Sequence, residues 1–259
     1  WLNDLAFTSN IGTPVPIKSK NNEFIITVKE DGYLAQNCLL MTWLEGEMFC
    51  ENLSEDNLYK MGEMFAKLHN FSDNYTPKGE FTKRKMNKIL AREEKDVIFS
   101  EELRSYYTDE EWDLHQKVYE KIKGTYDTLY NNKDDLMVIN HDLHHENIMI
   151  DKNGKLRPFD FEDTVWGYPV QDIAMAMKDL MEEVSPEEFE LYLKSFRNGY
   201  ETLREWPERF EGEMDLFMAG RVIWINNWVA LNQEEKLKKS ITWASKKFKT
   251  LLETDKLRF

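Results

Sequence analysis

The sequence predicts an α+β fold with two unequal parts, a small strand-rich beginning and a larger, mainly helical remainder. Three observations predict it. Residues 24–43 hold two apolar runs on either side of Asp31-Gly32, a pair typical of a hairpin turn. Apolar residues recur at helical spacing over residues 58–68 and in several later segments. A second turn pair, Asn153-Gly154, separates two short apolar runs inside the helical part and predicts an embedded β-hairpin.

The composition limits the class of protein. The chain has 259 residues, of which 41% are hydrophobic, enough for one large core or two lobes around a cleft. Its net charge is −14 and its basic residues form no stripe, so nucleic acid is not an expected ligand. No apolar run approaches the roughly 18 residues of a spanning helix, so we expect no membrane association. Two cysteines without metal-type spacing and no signal peptide predict a cytoplasmic location.

Local signals mark the elements in order. The apolar pattern of residues 1–6 is typical of the end of an amphipathic helix, and we expect residues that originally preceded Trp1. The Lys- and Glu-rich stretch 83–96 is expected to be solvated, without a specific partner. Capping residues indicate the starts of three later helices: Ser54, Thr108 with Glu111, and Ser185 with Glu188.

The most informative stretch is residues 139–150, "INHDLHHENIMI", which lies between apolar runs that predict strands. Two chemistries fit its residue types. A metal-dependent phosphohydrolase would use His141, Asp142 and His144 as ligands, although such ligands usually converge from helices. Phosphoryl transfer instead needs a carboxylate that orients and deprotonates a hydroxyl, an oxygen ligand for Mg²⁺, and a second carboxylate from an adjacent strand end.

The spacing favours phosphoryl transfer. Asp142 and Asn147 form a D-x-x-x-x-N pattern, and Asp160 follows the hairpin in "FDFED". Because the turn at Asn153-Gly154 folds the second strand back, we expect Asp160 to lie beside Asn147. Asp142 is therefore the candidate catalytic residue, while Asn147 and Asp160 are the candidates for binding Mg²⁺ and, through it, the nucleotide phosphates.

Three segments, residues 140–147, 160–163 and 172–174, together resemble the catalytic and metal-binding loops of the aminoglycoside phosphotransferase and choline kinase family, relatives of protein kinases. "CLLMTWLEGE" resembles the strand and hinge of that family, and "MGEMFAKLHNF" its first large-lobe helix. The resemblance implies a protein-kinase-like, two-lobed fold. Residues 1–45 would be the remainder of an N-terminally incomplete β-rich lobe with the hinge, and residues 46–259 the helical lobe that carries the catalytic β-hairpin.

The resemblance also implies an activity, transfer of the γ-phosphoryl group of ATP or GTP, with Mg²⁺, to a hydroxyl of a small molecule. An aminoglycoside, an aminoalcohol or a homoserine-like metabolite are the expected acceptors, and the acidic balance favours a cationic one. Backbone groups of Thr42, Trp43 and Leu44 would bind the purine. Two positions depart from the family pattern: Asn140 stands where His is usual, and His141 where a small residue is usual. A Gly-rich loop and a phosphate-clamping lysine are expected upstream of Trp1.

Several alternatives stay open. A nucleotide-binding protein that kept the fold and lost catalysis would share most of these features. Asp172 is expected to cap a helix or to brace the catalytic loop, and His144 and His145 to form hydrogen bonds. Trp224 and Trp228, one helical turn apart, suit a ring or a quaternary ammonium group, but a core position is the favoured interpretation.

Overall fold

A computed structural model describes residues 1–30, 32–77, 84–91, 95–131 and 136–257. The described helices are α1 (Leu2–Thr8), α2 (Glu55–Asp73), α3 (Asp109–Asn131), α4 (Pro169–Glu183), α5 (Pro186–Glu201), α6 (Glu213–Asn232) and α7 (Leu237–Thr254). The described strands are β1 (Pro16–Ile17), β2 (Ile25–Val28), β3 (Gln36–Met41), β4 (Glu47–Met48), β5 (Met137–Ile139), β6 (Ile148–Ile150), β7 (Leu156–Pro158) and β8 (Val165–Gly167).

The first sheet has the strand order β1-β3-β2 and is antiparallel throughout. Strands β2 and β3 pair from Ile25↔Leu39 to Val28↔Gln36, which confirms the hairpin predicted over residues 24–43. Gly32 has a φ of +89°, as a turn glycine should, whereas Asp31 lies outside the described residues. Apolar side chains of this sheet are largely exposed, with Ile25 at 58% and Leu40 at 65%.

The chain passes from the first sheet to the helical part through residues 42–46. Strand β4 then pairs with β6, with Glu47 opposite Ile150, so this connection lies directly against the catalytic hairpin. A Cβ atom on Gly46 would overlap the carbonyl oxygen of Ile150. A glycine at this position therefore allows the two backbones to approach, and this approach holds residues 42–46 against the end of β6.

The predicted hairpin at Asn153-Gly154 is confirmed. Strands β6 and β7 pair antiparallel, and the N–H of Gly154 donates to the carbonyl of Asp151 at 2.8 Å. The backbone N–H of Asp151 donates in turn to Lys155, which closes a loop of three residues rather than two. Gly154 takes the left-handed position in that loop, with a φ of +73°.

A third, two-stranded sheet leads into the loop of residues 140–147. Strand β5, which leads into the loop, pairs with β8 and not with the hairpin. The backbone of Trp166 in β8 also bonds Arg84 and Met86, at 2.9 and 2.8 Å. Met86 and Ile89 are buried, so the expectation of a solvated segment without a partner is wrong for residues 84–91. Residues 83 and 92–94 of the predicted stretch lie outside the described part.

The helical part buries most of the core around α6, which lies against α3, α4 and α7. Helices α2 and α5 approach closely, because each contributes a glycine, Gly62 and Gly199, where a Cβ would overlap the partner's backbone. All three predicted helix starts are confirmed by cap hydrogen bonds at Ser54, Thr108 with Glu111, and Ser185 with Glu188. Within the described residues, none of the helices is both long and apolar enough to cross a membrane.

Candidate active site

The loop between β5 and β6 carries the predicted catalytic residue. The Asp142 side chain is 23% exposed, so it lies at the edge of the buried loop and can still be reached. The side-chain Nδ2 of Asn147 donates to the carbonyl oxygen of Asp142 at 2.9 Å and also lies 3.2 Å from Nε2 of His144. The loop is thus closed on itself by the amide of Asn147, and the first two predicted site residues are adjacent.

Asp160 joins the same arrangement from the far end of the hairpin. The N–H of Phe159 donates to the carbonyl of Asn147 at 3.0 Å, which places the next residue, Asp160, beside that amide. The buried Asn140 makes the second link: its Oδ1 accepts from the N–H of Asp142 at 3.0 Å, and its Nδ2 donates to the carbonyl of Asp160 at 3.2 Å. One hydrogen-bonded network therefore brings Asp142, Asn147 and Asp160 together.

Two residues of this network have left-handed backbone conformations. His141 has a φ of +66° and Asp160 a φ of +57°. A non-glycine residue in this region costs on the order of 1 kcal/mol, and such residues concentrate at functional sites. The conformation of His141 explains why a small residue is usual there in the family that the sequence resembles. In this chain the histidine adopts it nonetheless, with its backbone held by Asp172.

Asp172, in the first turn of α4, braces the catalytic loop as predicted. Its Oδ1 accepts from the N–H of His141 at 2.6 Å, and its Oδ2 lies 3.1 Å from Nε2 of His69 in α2. Nδ1 of His69 lies 2.9 Å from the hydroxyl of Tyr200 in α5. All of these groups are buried, and burial raises the pKa of Tyr200, which therefore stays a neutral donor. The loop backbone is thereby tied to three helices.

Arg221 is a site residue that the sequence analysis missed. Its Nη2 donates to Oδ1 of Asp142 at 3.0 Å, across 79 positions of sequence. The guanidinium carbon also lies 4.3 Å from the ring centroid of Trp224, a cation–π distance. One signal was present: Arg221 is the only charged residue in the run "LFMAGRVIWINNWVAL", and a lone charge in an apolar helix needs a partner.

Trp224 and Trp228 lie on the same face of α6 as Arg221. Trp224 is half-buried under the guanidinium, and Trp228 is 42% exposed. The favoured interpretation of both as core residues is therefore wrong for Trp228. Positions 221, 224, 225 and 228 are spaced as one helical stripe, and none of them is fully buried. This stripe starts at the carboxylate of Asp142 and extends outward along α6.

The histidines of the loop do not form a metal cluster. Among the residues that the structure describes, no three His, Cys, Asp or Glu side chains are grouped to hold a metal ion. Burial lowers the pKa of His145, and the neighbouring His144 acts in the same direction, so His145 is a neutral packed side chain. The phosphohydrolase hypothesis, which needs His141, Asp142 and His144 as ligands, gains no support from this geometry.

The residues present do fit a nucleotide-bound Mg²⁺. Because Nδ2 of Asn147 donates to the loop, its Oδ1 is the atom that can bind a cation. The carboxylate of Asp160, at the neighbouring strand end, would supply a second oxygen. Mg²⁺ typically takes one or two protein oxygens and completes its shell with phosphate oxygens and water, so a pair of ligands is sufficient.

The hinge residues lie apart from this loop. The N–H of Thr42 donates to the carbonyl of Val15 at 3.0 Å and its hydroxyl accepts from the N–H of Val15, so that N–H of Thr42 is not available to a purine. Trp43 and Leu44 line an open cavity of about 730 Å³ together with residues 45–47, 150–153 and 157. Its lining does not include Asp142, Asn147 or Asp160.

Comparison with known proteins identifies what the fold resembles. Residues 14–206 match the family model of the phosphotransferase enzyme family, APH. No curated protein sequence matches the chain significantly. Among solved structures, a microcompartment-associated aminopropanol kinase superposes with a TM-score of 0.78 at 18% identity. The match covers 100% of this chain and 81% of the kinase chain.

Two further structures show the same similarity. The amicoumacin kinase hAmiN, in complex with AMP-PNP, Ca²⁺ and Ami, superposes with a TM-score of 0.71 at 15% identity, and the match covers 92% of this chain and 73% of the hAmiN chain. A choline/ethanolamine kinase family protein from Mesorhizobium loti superposes with a TM-score of 0.57 at 14% identity, and the match covers 98% of this chain and 77% of that protein's chain. At these identities the structures establish the fold alone, and they confirm the predicted protein-kinase-like architecture. The division at residues 45 and 46 stays a prediction.

Proposed function

Because the chain belongs to the phosphotransferase enzyme family, we propose that it transfers the γ-phosphoryl group of ATP, or of GTP, to a hydroxyl group of a small molecule. The observation that carries this proposal is the position of Asn140. Its side chain binds the backbone of both Asp142 and Asp160, so the proton acceptor and a ligand for the nucleotide-bound metal are held in one rigid unit.

Asp142 is the proposed catalytic residue. Its carboxylate accepts a hydrogen bond from the acceptor hydroxyl, orients the oxygen toward the γ-phosphorus, and takes the proton as the new O–P bond forms. The bond between the γ-phosphorus and the β–γ bridging oxygen breaks, and the leaving group is ADP or GDP. Most of the rate gain in such a reaction comes from orientation, which suits a carboxylate fixed on a buried loop.

Asn147 and Asp160 are the proposed ligands of Mg²⁺, through Oδ1 of the amide and the carboxylate. When bound, the ion neutralises the charge of the nucleotide phosphates and so lowers their repulsion of an approaching oxygen. Backbone groups of Trp43 and Leu44 are the proposed purine contacts; for Thr42, whose N–H is bonded to Val15, only the carbonyl remains a candidate.

The proposed acceptor side is the face of α6 that carries Trp224 and Trp228, because these rings follow Arg221, which contacts the Asp142 carboxylate. The similar structures are named as an aminopropanol kinase, an amicoumacin kinase and a choline/ethanolamine kinase family protein, and aminopropanol, choline and ethanolamine each carry a cationic nitrogen and a hydroxyl. The net charge of −14 would attract such cations over a distance. Amino alcohols are therefore the first acceptors to test, followed by aminoglycosides and homoserine.

The test measures ADP and GDP release by the full-length protein. MgATP or MgGTP is supplied with 1-aminopropan-2-ol, ethanolamine, choline, kanamycin, homoserine, a macrolide or a sugar. We expect release that depends on one class of acceptor. Asp142→Asn should abolish it while leaving the affinity for Mg·AMP-PNP unchanged. Asp113→Asn, which removes an exposed carboxylate of α3 that pairs with Lys117, is the control and should keep full turnover.

The outcomes separate the hypotheses. Substantial turnover by Asp142→Asn would refute the catalytic assignment. Nucleotide binding by the wild type without release on any acceptor would instead support a nucleotide-binding protein that lacks catalysis. Tight binding of a transition metal without nucleotide would revive the phosphohydrolase hypothesis.

A further inference from the structure

The contact between Arg221 and Asp142 joins the centre of the helical lobe to the catalytic loop. Arg221 lies in α6, where its side chain is only 14% exposed. Nη2 of the guanidinium donates to Oδ1 of Asp142 at 3.0 Å, and the guanidinium carbon Cζ lies 4.3 Å from the Trp224 ring centroid. The guanidinium therefore has two independent contacts, one with the carboxylate and one with a tryptophan of its own helix.

Stability alone does not account for this arrangement. Nε of Arg221 is buried and has no hydrogen-bond partner among the described residues, and an unsatisfied buried donor costs free energy. A largely desolvated ion pair also contributes little net stability compared with apolar side chains of the same size. An incompletely satisfied buried group next to a carboxylate is more characteristic of a functional site than of a structural one.

We propose that Arg221 is a positioning residue for phosphoryl transfer: it fixes the orientation of the Asp142 carboxylate, and Trp224 in turn holds the guanidinium in place. This inference rests on the proposed function. The transition state of phosphoryl transfer is loose, so the carboxylate must orient the hydroxyl more than it must attract the proton strongly.

The geometry also explains why the contact comes from α6 and not from the loop itself. The backbone of the loop is already held by Asn140 and Asp172, but these bonds restrain main-chain atoms. Side-chain torsions of Asp142 need a separate restraint, and Arg221 binds the carboxylate oxygen directly. Loop geometry and carboxylate orientation are therefore held by different groups, which makes their effects separable by mutation.

The experiment uses the full-length protein with MgATP and the member of the acceptor panel that gives the highest wild-type ADP release. Arg221→Met keeps an unbranched apolar stem but removes the charge, the donor to Asp142 and the cation–π contact with Trp224. We expect its kcat to fall about 100-fold, as for a misoriented catalytic group, with KM for MgATP and for the acceptor changed by less than about threefold. The kcat of Arg221→Lys should be about tenfold higher than that of Arg221→Met.

A double-mutant cycle tests whether Arg221 acts through Asp142. If it does, adding Arg221→Met to Asp142→Asn should cause no further loss of the trace ADP release that Asp142→Asn shows over background at high enzyme concentration. Arg209→Met is the matched structural control, because Arg209 also pairs with a carboxylate of α6, through Nε and the buried Glu213 at 2.7 Å. This variant should lower Tm and leave the kcat of the folded enzyme unchanged.

Each result decides the question. If Arg221→Met keeps kcat within about threefold of the wild type, the inference is wrong while the proposed function stands. A loss of kcat that Arg221→Lys does not relieve, with affinity for Mg·AMP-PNP and Tm falling together, would reduce Arg221 to a structural residue. Additive losses in the double mutant would show that Arg221 acts independently of Asp142. If the wild type releases no ADP with any acceptor, the proposed function fails and this inference fails with it.

Discussion

Asp172→Ala should destabilise the protein strongly, because one buried carboxylate satisfies two elements of the site. Its Oδ1 accepts from the backbone of His141 at 2.6 Å, and its Oδ2 lies 3.1 Å from the ring of His69. Alanine would leave both buried groups without an acceptor. It would also free the left-handed backbone at His141, whose φ of +66° is maintained against its intrinsic preference by that bond.

The magnitude follows from these contacts. Each unsatisfied buried donor costs about 1–3 kcal/mol, so the free energy of unfolding should fall by about 4 kcal/mol. Asp172→Asn keeps the shape and an acceptor oxygen for the N–H of His141, and should cost only about 1 kcal/mol. Because the catalytic loop moves when this bond is lost, kcat of Asp172→Ala should fall about 100-fold in ADP release.

Urea unfolding at 25 °C, followed by tryptophan fluorescence and extrapolated linearly, measures the stability difference. Asp113→Ala on the exposed face of α3 is the control: it removes a carboxylate paired with Lys117 at 2.7 Å, and should change stability by less than about 0.5 kcal/mol. Alanine and asparagine variants at position 172 within about 1 kcal/mol of one another would refute the argument that the two acceptor bonds brace the loop.

Three further predictions follow from other parts of the chain. Asn147→Ala and Asp160→Asn should each weaken MgATP binding at least about tenfold in calorimetry, while the affinity for metal-free ATP stays unchanged. If a variant lost the same affinity for metal-free ATP as for MgATP, the metal-ligand role would be contradicted. Gly199→Ala, where a Cβ overlaps the backbone of α2, should lower the free energy of unfolding by about 3 kcal/mol, whereas Gly124→Ala, in open space on α3, should raise it by about 1 kcal/mol. Burial lowers the pKa of His115 from 6.5 to about 4, so between these pH values the unfolded chain binds a proton that the folded chain does not. The free energy of unfolding should therefore fall by up to about 3 kcal/mol as the pH drops through that window. A His115→Gln variant that kept the same pH dependence in urea titrations would disprove the assignment.

Short-range patterns predicted the parts of the structure that are determined locally. Asn153-Gly154 predicted the catalytic hairpin because a glycine in the left-handed region sets where the strands reverse. Ser54 predicted the start of α2 because its hydroxyl satisfies a backbone donor only three positions away. The spacing of Asp142 and Asn147 predicted their proximity for the same reason, since they belong to one short loop.

Longer-range features could not be predicted in this way. Nothing near Arg221 in the sequence indicates that its partner is 79 positions earlier, because the pairing depends on how α6 packs. Residues 84–91 are surrounded by charged positions, and composition therefore suggested a solvated segment. Their backbone nevertheless bonds Trp166, in a strand of only three residues that is too short to show alternation.

The replacement of histidine by Asn140 illustrates why residue type alone does not decide whether a catalytic loop is intact. The loop requires one acceptor for the N–H of Asp142 and one donor for the carbonyl of Asp160. A neutral imidazole has one acceptor and one donor, and a carboxamide has both as well, so the amide can meet the same two requirements. The carboxamide is also uncharged at any physiological pH, whereas an imidazole can gain a proton and lose its acceptor. The departure at position 140 therefore changes the group that holds the loop without removing either of the bonds that bring Asp142 and Asp160 together.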